Sequence, residues 1–141
     1  NTYMQNGGDV TLKALQKLNK SSPETVSYIL DYLRDAPLYE TVSTEGNDFL
    51  LVHSGIDNFN KSKKLFQYTA NDFLWTWPEL SDEYYDDIIT VFGHTPTLSY
   101  GKEYTGKTLK TRTWIDIDVG VAYGKKPVLL RLDDLQEFYF C

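Results

Sequence analysis

The 141-residue chain carries 20 Asp and Glu against 14 Lys and Arg, a net charge of −6 with a pI near 4.8. That balance argues against nucleic acid or an anionic membrane as the main partner, because both require a basic face. No run approaches the ~18 consecutive apolar residues of a membrane span, and the 41% apolar and 15% aromatic content argues against disorder.

The length is that of one domain, and no repeat, low-complexity tract or Pro/Gly-rich linker divides it. The only cysteine, Cys141, cannot close an internal disulfide, and a lone thiol fits a reducing cytoplasm.

In chain order, Leu12, Leu15 and Leu18 fall on one helical face behind Asp9, which predicts a helix over 9–19 with Asp9 as its N-cap. Ser22-Pro23-Glu24 reads as serine cap, proline at the first position and an acid in the first turn of a second helix over 23–35, with Val26, Ile29, Leu30 and Leu33 as its apolar stripe. Leu38–Ser43 and Asp48–Val52 predict a hairpin, with Gly46-Asn47 supplying positive-φ turn positions. Asn60 to Asp72, with Lys61, Lys63 and Lys64, reads as a solvated helix face. So does Glu79 to Asp87, whose five carboxylates lack the glycine and spaced oxygens of a calcium loop.

Ile88 to Phe92 is a buried strand, and Gly93 is expected to let the backbone turn there. Ser99–Gly106 is a polar loop, and short strands follow at Lys107–Arg112, Thr113–Asp118, Val128–Leu132 and Gln136–Phe140. Asp116 and Asp118 alternate with Ile115, Ile117 and Val119, which puts them together on the opposite face in a structural role.

The chain holds two histidines, His53 and His94, and each directly follows an apolar strand-like run or its terminal glycine. Strand ends of this kind are where open α/β sheets place ligands and metals, although a single histidine there is ordinarily a hydrogen-bonded structural residue.

The wording around the pair is more specific. Leu51-Val52-His53-Ser54-Gly55-Ile56 and Val91-Phe92-Gly93-His94-Thr95-Pro96-Thr97 resemble the last two histidine motifs of the serine/threonine phosphoprotein phosphatase family of metallophosphoesterases (calcineurin-like phosphoesterases), in its bacterial form. Ile115 to Gly124 with Val128 to Asp134 resembles that family's closing strand, turn and strand. Asn6-Gly7-Gly8 with Thr11 resembles the segment after its third motif.

The resemblance implies an α/β fold: the C-terminal half of the layered α/β/β/α metallophosphoesterase domain over 1–141, two N-terminal helices followed by mainly antiparallel strands. No Gly-Asp-x-His, Asp-Arg-Gly or Gly-Asn-His occurs in the chain. The family's first three motifs are therefore expected in a longer protein of which this is the C-terminal half. The resemblance also implies that His53 and His94 ligate the same metal, and that the rest of a two-metal centre (manganese, with iron or zinc as the other candidates) and the catalytic acid come from the missing half. No catalytic residue falls in this chain, which would hold at most one ion weakly.

The expected substrate is a phosphoprotein or small phosphoester, in a cytoplasmic protein; a dinucleoside-polyphosphate hydrolase or a binding module without catalysis are the alternatives. One departure bears on this: the family has an arginine phosphate clamp two residues after the tryptophan matching Trp75, and here Trp77 stands in its place. Trp75 and Trp77 are read as core and near-surface aromatics, and Arg34, Arg112 and Arg131 are not nominated as replacements. A half domain with an uncovered sheet edge or face predicts a homodimer or swapped oligomer.

Overall fold

The computed structural model describes residues 3–140, so Cys141 and Asn1 lie outside the described residues. The chain forms two compact units, Asn1–Pro37 and Leu38–Cys141.

The first unit is a helix pair, α1 (Asp9–Ser21) and α2 (Pro23–Asp35). Both helices form where the spacing of leucines and the Ser22-Pro23 start predict. Gly8, not Asp9, is the N-cap of α1; Asp9 lies within the first turn, and its carboxylate pairs with Lys13 at 2.8 Å. Ser22 is the N-cap of α2, and its hydroxyl shares a 2.6 Å hydrogen bond with Thr25. Leu15, Leu18, Val26 and Ile29 are half-buried, whereas neither helix contains a fully buried residue.

The second unit is built on a five-stranded mixed sheet: β1 (Tyr39–Ser43), β2 (Asp48–Val52), β3 (Ile89–Phe92), β4 (Leu109–Lys110) and β5 (Trp114–Asp116), in the order β1-β2-β3-β5-β4. The outer pairings are antiparallel and the two pairings of β3, with β2 and with β5, are parallel. A separate antiparallel hairpin joins β6 (Val128–Leu130) and β7 (Glu137–Tyr139). The molecule is thus mixed α/β, and the antiparallel pairings outnumber the parallel ones. The parallel pair in the centre needs a long crossover, and residues 53–88 supply it, including the short helix α3 (Ala70–Leu74).

Apolar residues cover both faces of the sheet. Leu50, Phe92 and Trp114 face one side with Phe73, Tyr84 and Leu109; Phe49, Val91 and Ile115 face the other. This revises the setting of Asp116: the face opposite Ile115 is itself core, and Asp116 lies there fully buried.

Three local expectations are also corrected. The β1–β2 turn does not use positive φ at Gly46 or Asn47. Thr44 closes it instead: its N–H and hydroxyl both donate to the Asn47 carbonyl, at 2.9 and 3.0 Å, and its hydroxyl accepts the Asn47 N–H at 3.2 Å. The Asn60–Asp72 stretch is turns and a single 3₁₀ turn up to the start of α3, with Lys61 paired to Asp86 and Lys63 lying 3.8 Å over the Tyr68 ring.

Glu79–Asp87 is not a helix but an irregular strap. Its backbone is claimed by the core: Tyr84 N–H donates to Thr113 Oγ1 at 3.0 Å and the Trp114 indole donates to the Asp82 carbonyl at 2.9 Å. Those partners lie about thirty residues away in sequence, so the acidic composition of the run does not reveal them.

Candidate functional site

Because β2 and β3 run parallel and adjacent, their C-terminal ends open on the same edge of the sheet. His53 is the first residue after β2, and His94 follows β3 by two. The Gly93 N–H donates to the His53 carbonyl at 3.1 Å and ties the two loops together. The imidazoles meet: His53 Nε2 lies 3.1 Å from His94 Nδ1, with ring centroids 4.8 Å apart. One of these nitrogens carries the shared proton and the other accepts it.

The turn that aims His94 is taken by the histidine itself. Its φ is 68°, in the left-handed region, and Thr95 N–H returns to the Gly93 carbonyl at 2.7 Å to close a three-residue γ-turn around it. A Cβ on Gly93 would make only an ordinary 3.7 Å contact with Asp118 Cβ, so glycine is not what permits the turn. A non-glycine residue held this way costs about 1–3 kcal/mol, and such strain persists where surrounding structure imposes it.

Burial, then the neighbouring His53 charge, lower the His94 pKa below the usual imidazole range, while Asp118 pulls the other way. His94 is therefore neutral at pH 7, the form that ligates metals.

The small residues after His53 assemble the wall of the site. Ser54 is buried; its hydroxyl donates to the Phe73 carbonyl at 2.7 Å and accepts the Thr76 N–H at 3.1 Å. Those bonds hold Trp75-Thr76-Trp77 against His94, with ring centroids 6.0 and 6.3 Å from it. Gly55 is required for close approach, since a Cβ would sit 2.2 Å from Tyr84 Oη and 2.4 Å from Pro78 Cγ. Sequence reasoning passed over Ser54 and Tyr84, and the one signal for them was the small Ser-Gly pair directly behind a strand-end histidine.

Trp75 and Trp77 are not core residues: they are 62% and 60% exposed. Each of the three arginines is held in an ion pair of its own. Arg34 pairs with Asp31, Arg112 with Glu83 and Asp86, and Arg131 with Asp134.

Asp116 Oδ1 accepts the Asp118 N–H at 2.8 Å and Asp118 Oδ1 accepts the Gly120 N–H at 3.0 Å, so both carboxyl groups shape the turn behind β5. Among the described residues no group of three or more His, Cys, Asp or Glu side chains is arranged to hold a metal ion. The histidine pair stands by itself as a donor set. No helix among the described residues is long and apolar enough to cross a membrane. No family model and no curated protein matches the chain.

Proposed function

We propose that this chain supplies two of the metal ligands, His53 and His94, of a metal-dependent phosphoester hydrolase, most directly a phosphatase of phosphoserine and phosphothreonine in the cytoplasm, whose remaining ligands and acid lie in an upstream half of the same metallophosphoesterase domain. The observation that carries this reading is the 3.1 Å separation of His53 Nε2 and His94 Nδ1 at the ends of two parallel strands.

Two nitrogens each about 2.1 Å from one ion lie roughly 3.0 Å apart at a right angle and roughly 3.4 Å apart at a tetrahedral angle. The observed spacing falls between these values. The distance suits a shared divalent ion once the shared proton leaves. Imidazole nitrogen suits manganese, iron or zinc. Two such ions, when bound, supply the positive charge that a phosphoester's oxygens need in displacement. The chain's own part is to hold the two rings converged and His94 neutral, and to pack Trp75 and Trp77 against His94.

A second reading, a phosphatase-like binding module without catalysis, is favoured by one observation: Trp77 replaces the arginine clamp and all three arginines are engaged elsewhere. A dinucleoside-polyphosphate hydrolase is the third.

The test is to join the chain to an upstream half carrying the three missing motifs and to assay p-nitrophenyl phosphate with manganese. Turnover is expected, lost by at least about a hundredfold on His94→Ala, a scale typical of removing a group on which the centre depends, while the 141-residue chain alone gives none. Turnover by the chain alone overturns the two-ligand assignment; no turnover by the joined protein favours the binding module.

A further inference from the structure

A cleft of about 510 Å³ is lined by the Trp75-Thr76-Trp77 segment whose indoles pack against His94, and neither histidine lines it. Its walls include Trp75, Trp77 and Phe59, and its rim carries Asp57, Glu79 and Asp82, with no lysine or arginine among the lining residues. Glu83 also borders it but is already neutralised by Arg112 at 2.7 Å.

Among the described residues the other three carboxylates have no ion-pair partner. Asp57 accepts the Asn58 N–H and Asp82 accepts the Glu79 N–H, both at 2.8 Å, and those bonds leave the charges in place. The aromatic wall is partly fixed: Phe59 packs edge-on against Tyr84 and Tyr85, with centroids 5.2 and 4.8 Å away, and the Ser54 hydroxyl anchors the segment between the two tryptophans. Large indole surfaces left 60% open to solvent beside uncompensated negative charge make a seat for a cation: the rings attract it through their quadrupole and the carboxylates through charge. A phosphate is repelled by the same lining.

We propose that this cleft binds a lysine or arginine side chain of a peptide, so that the substrate class is a phosphopeptide with a basic residue close to its phosphorylated residue. The location of the phosphate rests on the phosphoester reading above; the cation seat does not. The tryptophans that form the cleft wall are 6.0 and 6.3 Å from the His94 ring. An extended peptide advances about 3.3 Å per residue, so walls 6.0 and 6.3 Å from the His94 ring set the basic residue at least about two positions from the phosphorylated one. The partner's positive charge also complements a chain of net charge −6 and speeds encounter at low salt.

The test uses the 141-residue chain, without metal, and an unphosphorylated heptapeptide with a central lysine. Binding is read by tryptophan fluorescence at low ionic strength. Saturable quenching is expected, weakened roughly tenfold or more when norleucine replaces lysine and absent when glutamate does. Asp57→Asn/Glu79→Gln, two exposed positions, is expected to weaken the lysine peptide to the norleucine level with far-UV circular dichroism unchanged, and Trp77→Leu to abolish most of the quench.

Equal affinity for lysine and norleucine peptides, no saturable binding, or full affinity in the double carboxylate variant overturns the proposal. Because neither phosphate nor metal is present, such a failure leaves the phosphoester reading untouched. Failure of the joined protein to hydrolyse p-nitrophenyl phosphate overturns only that reading.

Discussion

Asp116 illustrates what one residue does when the sheet is covered on both faces. It is fully buried; one oxygen accepts the Asp118 N–H and the other has no partner among the described residues. Burial pushes its carboxyl up to about 8, with the Asp118 charge adding to the rise and the bond from the Asp118 N–H opposing it. The folded protein therefore keeps this proton between about pH 4 and pH 8 while the unfolded chain loses it. The raised folded pKa means that the stability contribution is complete below the unfolded value of about 3.9 and is lost as pH climbs through about 8, by at most about 1.4 kcal/mol per pH unit. Urea midpoints are expected to fall across that window and to fall less in Asp116→Asn, which cannot ionise. A variant whose profile matches the parent's slope would assign the pH dependence to other groups.

At the scale of elements, the strap over 79–87 organises the site more than its composition suggests. Tyr84 is buried, and its hydroxyl accepts the Ile56 N–H at 2.9 Å, just behind the His53 loop. Tyr84→Phe leaves that buried N–H without a partner and is expected to cost about 1–3 kcal/mol, read as a lower urea midpoint at unchanged slope. No change would mean that another acceptor moves in.

The contrast with the helices explains what could be read in advance. The starts and faces of α1 and α2, and the strands that end at His53 and His94, follow from local spacing and terminal residues, and the meeting of the two imidazoles follows from two strand-end histidines in one sheet. The strap and the exposure of Trp75 and Trp77 depend on partners distant in sequence: Thr113 and Trp114 for the strap, Ser54 for the tryptophan segment. No local pattern encodes those pairings. Five carboxylates in nine residues therefore look like a solvated helix until the tyrosine between them is found in the core.

For the whole molecule, each unit by itself presents a surface suited to a second chain. Val10, Leu12, Tyr28, Leu30, Tyr32 and Leu33 of the helix pair are all exposed, Tyr28 and Tyr32 by 74% and 77%. The sheet ends on β1, a five-residue strand paired on one side only. Both are templates for a second chain, but they differ in driving force. Apolar burial contributes about 25 cal/mol per Å². Association through the edge gains mainly backbone hydrogen bonds, each of small net value, and brings the exposed Glu40 of β1 into the interface. The helix pair is therefore the expected interface of a homodimer of this chain. Sedimentation at high concentration is expected to give a dimer, Leu30→Glu/Leu33→Glu to return it to monomer, and Thr41→Lys on β1 to leave it a dimer. If Thr41→Lys dissociates it and the leucine variant does not, pairing runs through the sheet edge, and a parent chain that stays monomeric overturns association by either surface.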